Sequence, residues 1–112
     1  GSESIKNVTL PQTLTYIGKA AFEGTGITKV VLPERLTDIA EKMFLECRKL
    51  ESIYIPKAVQ TIGKEAFKDC SLRDVYYGGN EEQWKQLVRD HEELNYITPH
   101  YNSSALLATL SL

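Results

Sequence analysis

The sequence contains little of the material from which catalytic and metal sites are usually built. Its 112 residues include only two cysteines, two histidines, one tryptophan and one methionine. The formal net charge is -2, with acidic and basic residues interleaved along the chain. Binding to nucleic acid requires clustered basic residues that neutralise phosphates, so no nucleic-acid partner is expected. No apolar run approaches the roughly 20 residues that cross a bilayer, so membrane insertion is not expected either.

The two histidines and two cysteines do not form a recognisable catalytic or metal motif. His91 and His100 lack the HExxH spacing that places two imidazoles on one helical face. A GxSxG elbow and a phosphate-binding glycine loop are also missing from the sequence. We expect no cofactor, no metal and no enzymatic activity, with His91 exposed at a helix end and His100 packed in a C-terminal cap. A hydrolase that uses His100 with nearby acids is the enzymatic alternative.

What the sequence does contain is an internal repeat, which is typical of solenoid proteins. Pro11, Pro33 and Pro56 are 22 and 23 residues apart, and Gly78 takes the same phase 22 residues later. Apolar residues recur six and three residues before these anchors, and a phenylalanine recurs eleven residues after each proline. These columns are Ile5, Ile27, Leu50 and Leu72; Val8, Val30, Ile53 and Val75; and Phe22, Phe44 and Phe67.

Each repeat unit predicts the same sequence of local structures. The segments "VTL", "VVL", "IYI" and "VYY" read as short strands, and proline ends the first three because it lacks an N–H group. A second extended run follows, and "KAAF", "EKMF" or "KEAF" then reads as a helical turn that directs its phenylalanine inward. No unit can bury its apolar face alone. The fold class is therefore an α/β solenoid, a right-handed stack of about 3.5 repeats of 22–23 residues with a C-terminal capping helix.

The repeated pattern "L..I.IP..V..IG..AF..C" resembles the BspA-type leucine-rich repeat family of bacterial surface proteins. The resemblance covers roughly Ile5 to Tyr77, and the ending "VYYGGNEEQWKQL…HYN" resembles the close of such arrays. Ala40 and Met43 depart from the glycine and alanine of the pattern. The resemblance implies an extracellular or cell-surface location and binding of host, matrix or bacterial surface molecules. We also expect the chain to be a C-terminal piece of a longer protein.

Three regions are predicted: a repeat array at residues 1–79, a cap at 80–102 and a tail at 103–112. In the cap, Asn80 and Gln83 have capping-box spacing, and Trp84 is expected to fill the core of the last coil, with Tyr96, Ile97 and Tyr101 completing the lid. The uncapped N-terminal edge makes self-association plausible. For the apolar tail three interpretations stay open: it takes part in such pairing, it is disordered, or it is vector-derived.

Cys47 and Cys70 occupy equivalent phases, each three residues after a phenylalanine. One coil step is compatible with the Cα separation of a disulfide. Stacked side chains run parallel instead of converging, which favours two free buried thiols. Both states remain open from the sequence.

The candidate binding site is the outer face of the strand ladder. Two residues before each anchor stand Thr9, Val31, Tyr54 and Tyr76, which are expected to point to solvent and stack side by side. Exposed tyrosines on a rigid sheet suit recognition of a protein or a glycan. The alternative is that they serve only strand packing. The sequence thus predicts a non-enzymatic protein-interaction module, with a structural spacer or capping array as the alternative.

Overall fold

The computed structural model describes residues 7–105, and within this range the long strands form one parallel sheet. Strands β1 (Asn7–Thr9), β2 (Lys29–Val31), β4 (Ser52–Ile55) and β6 (Asp74–Tyr77) lie side by side in that order. The short strands β3 (Asp38–Ile39) and β5 (Thr61–Ile62) pair in a second parallel sheet. The predictions for Ile5 and for residues 106–112 lie outside the described residues.

The register of the long sheet follows the phase of the sequence repeat. One column of paired residues is Val8, Val30, Ile53 and Val75, and the next is Thr9, Val31, Tyr54 and Tyr76. The predicted alignment of equivalent residues is therefore confirmed. At the fourth anchor position, Gly78 donates its N–H to the Ile55 carbonyl at 2.9 Å. A Cβ atom there would lie 2.8 Å from the Lys57 nitrogen, so glycine permits this close approach.

The three phenylalanines form one aromatic column through the core. The Phe22 and Phe44 rings are 5.5 Å apart and the Phe44 and Phe67 rings 5.3 Å apart, both nearly parallel. Phe44 and Phe67 are buried, whereas Phe22 in the first coil is only partly buried. The inward orientation predicted for this column is correct.

The segments predicted as helical turns are instead runs of tight turns. In the second coil, alternate N–H groups donate to the next coil, and the intervening ones donate to the carbonyl three residues back. The forward donors are Lys42, Phe44 and Glu46, which bond to Lys64, Ala66 and Lys68. Lys42 and Glu46 have φ of 59° and 58°, which a right-handed helix excludes. These left-handed residues are incompatible with a continuous helix, and forward and backward hydrogen bonds alternate along the turns.

After β6 the chain forms helix α1 (Glu81–Leu87) and a 3₁₀ helix (Glu92–Leu94). The Asn80 side chain accepts from the Gln83 N–H at 2.9 Å, and the Gln83 side chain accepts from the Asn80 N–H at 2.7 Å. This reciprocal pair begins the helix at the predicted residue. Trp84 is buried in the main core, with its ring 5.3 Å from that of Tyr77.

Two of the three predicted lid residues lie where they were expected. Ile97 is buried and Tyr101 packs against the core, but Tyr96 is largely exposed. The Tyr96 hydroxyl donates a hydrogen bond to the Leu72 carbonyl at 3.0 Å, so the side chain is anchored by its hydroxyl while its ring stays largely exposed.

Phe44→Ala should lower the free energy of unfolding by about 3–5 kcal/mol, because it removes a buried ring that has an aromatic neighbour on each side. Urea denaturation followed by circular dichroism measures the change. Phe22→Ala should cost clearly less, since Phe22 is only partly buried. Equal losses for the two variants would contradict the graded burial of the column.

Gly63→Ala should destabilise the fold by about 1–3 kcal/mol, the usual range for overpacking. A Cβ atom at Gly63 would lie 2.3 Å from the Glu41 nitrogen, which belongs to the preceding coil. Gly18 has the same phase in the first coil, where a Cβ atom would meet only Tyr16 side-chain atoms at 3.8 Å. Gly18→Ala is therefore the matched control, and thermal unfolding of both variants should show a loss only for Gly63→Ala.

Candidate functional site

The predicted binding column forms as a ladder but does not face solvent as expected. Tyr54 is only 2% exposed and Tyr76 only 9% exposed. They form a second apolar cluster, separate from the main core, against which Val31 and Ala105 pack. The expectation of exposed tyrosines is therefore wrong. Thr9 takes its predicted place in the register beside Val31.

Tyr54 is held by a charged partner from the preceding coil. Its hydroxyl donates to the two carboxylate oxygens of Glu34, at 3.0 and 3.1 Å. Burial, followed by the hydrogen bond and negative charge of Glu34, raises the pKa of Tyr54 well above its usual value. Tyr54 is therefore a neutral donor whose orientation is fixed by an exposed carboxylate.

Tyr76 is covered by a ring from the end of the chain. The His100 imidazole stacks on the Tyr76 ring with centroids 4.5 Å apart and planes inclined by 15°. The Nε2 atom of His100 lies 3.7 Å from Oδ1 of Asp74, on the same strand as Tyr76. Packing of His100 near the C-terminus was predicted, but its side chain is still 54% exposed. The contact with Tyr76 was not predicted.

Polar residues surround the tyrosine pair. Glu34 and Lys57 are exposed on one flank of the ladder, and the Gln12 side chain accepts from the Glu34 N–H at 3.1 Å. On the other flank Lys29 and Asp74 are partly buried and Ser52 is buried. The face thus has an apolar centre and a rim of mixed charge, which is a common arrangement in protein-binding surfaces.

Both cysteines, Cys47 and Cys70, are free thiols with backbone partners. Cys47 donates to the Phe22 carbonyl at 2.9 Å, and Cys70 donates to the Phe44 carbonyl at 3.1 Å. Burial raises the pKa of both thiols, to about 12 for Cys70. Since the thiolate is the nucleophile and metal ligand, these two side chains are poorly suited to chemistry.

The histidines lie in different environments. His91 was predicted to be exposed, but its side chain is largely buried and Nδ1 lies 3.6 Å from Oε1 of Glu93. His100 lies near Asp74, whereas His91 lies near Glu93, so the two imidazoles have different carboxylate neighbours. In residues 7–105 no group of three or more potential ligands is arranged to hold a metal ion.

Comparison with known families identifies the repeat. Residues 1–88 match a family model that is described as the BspA type leucine rich repeat region (6 copies). The chain belongs to this family. The resemblance noted in the sequence is thereby confirmed.

A solved structure has a similar fold. It is a leucine rich cell surface protein from Faecalibacterium prausnitzii A2-165, with 27% sequence identity and a TM-score of 0.57. The match covers 73% of this chain but only 28% of that protein. A search of curated proteins gives no significant match. None of the helices in residues 7–105 has the length and apolar character that a bilayer crossing requires.

We expect both thiols to react slowly with Ellman's reagent in the folded protein and rapidly in urea, because burial keeps them protonated. Cys70→Ser separates the two rates. The raised pKa of Cys70 also means that its contribution to the free energy of unfolding is complete below pH 9 and is lost as the pH rises toward 12. A native thiol that reacts as fast as free cysteine would contradict this assignment.

Proposed function

We propose that the chain is a non-enzymatic protein-interaction module of a bacterial cell-surface leucine-rich repeat protein. The main observation in favour of this function is the register of Thr9, Val31, Tyr54 and Tyr76. It places apolar and aromatic residues side by side on adjacent parallel strands. Membership of the BspA-type family and the cell-surface description of the similar structure support this function. The proposed location is extracellular or on the bacterial surface.

The proposed architecture is a right-handed array of about 3.5 coils, divided at residues 79 and 102 as the sequence predicts. Burial of Trp84 in the main core supports a capping role for helix α1. Residues 80–102 would then protect the last coil, while the strand ladder would present a rigid surface to a protein ligand. A glycan is a less favoured ligand, because the centre of the face is apolar.

A structural spacer is the second candidate, and the burial of Tyr54 and Tyr76 favours it. If the tyrosines serve only packing, the face needs no ligand. The two candidates differ in one respect that can be measured. Only an interaction module loses binding when the face is altered without loss of folding.

The test is to measure binding to a panel of purified extracellular-matrix and bacterial surface proteins by biolayer interferometry. Val31→Ser combined with Tyr76→Ser should weaken binding at least tenfold, since central aromatic contacts often contribute about 2 kcal/mol or more. Tyr16→Ser is the matched control, because Tyr16 is 76% exposed and lies outside the column. Circular dichroism verifies that each variant is folded.

If the double variant unfolds, the single variant Val31→Lys carries the test, since Val31 is only partly buried. A folded face variant that binds as well as Tyr16→Ser would overturn the proposed site. The absence of binding by any variant, including the unaltered chain, would favour the spacer.

A further inference from the structure

The apolar side chains of the first coil are more exposed than their equivalents in the second. Ala21 is exposed, whereas Met43 at the same phase is 0% exposed. Phe22 is only partly buried, whereas Phe44, which has an aromatic ring on each side, is 0% exposed. The incompletely covered apolar residues, here called the first-coil end face, are Val8, Leu10, Ala21 and Phe22.

Strand β1 ends the long sheet beside this face. It pairs with β2 on one side, and no strand within residues 7–105 pairs with its other side. Val8 of the end face belongs to this strand. The unpaired strand edge and the uncovered apolar residues therefore lie at the same end of the array.

The turn of the first coil adds hydrogen-bond acceptors to this end. In the second coil, the carbonyls of Glu41, Met43 and Leu45 accept N–H groups from the first coil at 2.8 to 3.0 Å. The carbonyls at the same phases of the first coil accept no hydrogen bond from residues 7–105. They belong to Lys19, Ala21 and Glu23.

The direction of the turn hydrogen bonds makes the two sides of a coil chemically different. The N–H groups of residues 20–25 are all used, alternately by the second coil and by carbonyls three residues back. The turn of the first coil therefore offers acceptors, and no donors, at its outer side. A matching partner must supply N–H groups on alternate residues, together with apolar side chains that cover the end face. The side of a coil that meets its following neighbour has both features.

A second copy of this chain does not meet that requirement with either end. Its own first coil offers the same row of carbonyls, and two rows of carbonyls cannot bond to each other. At its other end, Trp84 is buried in the main core and His100 is bridged to Tyr76 of β6. Residues that follow the ladder thus occupy the end that would have to supply the donors.

We propose that the first-coil end face is a docking surface for one further coil of the same repeat type, joined ahead of β1. The added coil places its alternate N–H groups opposite the three carbonyls and its apolar column against Val8 and Phe22. A joined coil is favoured over a separate protein, because the covalent link removes most of the entropy cost of association. The proposal does not depend on whether the strand ladder binds a ligand.

The first test measures thiol labelling of Ala21→Cys with and without an added coil. A second copy of residues 7–28, inserted directly before Asn7, is in the correct phase because Asn7 and Lys29 are equivalent. The substitution is made only in the copy that precedes Lys29. Labelling should be at least tenfold slower in the extended chain, since the equivalent Met43 is 0% exposed. Equal rates in the two chains would overturn the proposal.

Tyr16→Cys is the matched control, because Tyr16 and the equivalent Asp38 and Thr61 are all exposed. Its labelling rate should be the same in both chains, and peptide mass spectrometry separates this label from any on Cys47 or Cys70. Equal slowing at both substituted positions would count against docking at the end face. An added copy that carries Phe22→Ser should protect the Ala21→Cys position less well, because the docked coil then lacks its aromatic side chain.

A concentration series tests whether a second copy covers the face instead. The labelling rate of Ala21→Cys without the added coil should not change over a hundredfold range of protein concentration. Analytical ultracentrifugation of the unaltered chain should show a monomer throughout that range. Slower labelling at high concentration, together with a dimer, would assign the face to a second copy and overturn the proposal.

Discussion

The fold depends on one constraint: equivalent residues of successive coils must lie directly beside one another. Parallel pairing between strands and forward hydrogen bonding between turns both impose this register. Phe44 shows the result, because its ring is enclosed by Phe22 and Phe67 from the two adjacent coils. No coil has an apolar core of its own, so each coil is stabilised mainly by its contacts with the adjacent coils.

The sequence was sufficient to predict most of this architecture. Because a leucine-rich repeat places one residue type at one phase, the spacing of Pro11, Pro33 and Pro56 predicted the register of the long sheet correctly. The tight turns were predicted as helical turns, because the residue types in "KAAF", "EKMF" and "KEAF" are compatible with a helix. Positive φ at Lys42 and Glu46 recurs at the equivalent Glu65 and Asp69, and the identity of these non-glycine residues does not indicate it.

The candidate site was harder to predict. Strand alternation placed Tyr54 and Tyr76 on the outer face, and that placement agrees with their separation from the main core. Their burial depends on contacts between distant parts of the chain: Glu34 from the preceding coil, and His100 and Ala105 from the C-terminal segment. Periodicity describes residues within the repeat, and it gives no information about a segment that leaves the repeat and returns.

The direction of the hydrogen bonds in the turns has a consequence for the length of such proteins. In the turns of the second coil, every second N–H donates to a carbonyl of the third coil that lies one repeat position earlier, and the first coil donates to the second with the same offset. Duplication or deletion of one complete coil in the gene therefore leaves each donor opposite an equivalent acceptor. Insertion of a partial coil would misalign them all. Array length can thus change during evolution in whole units, while the chemistry of every junction is preserved.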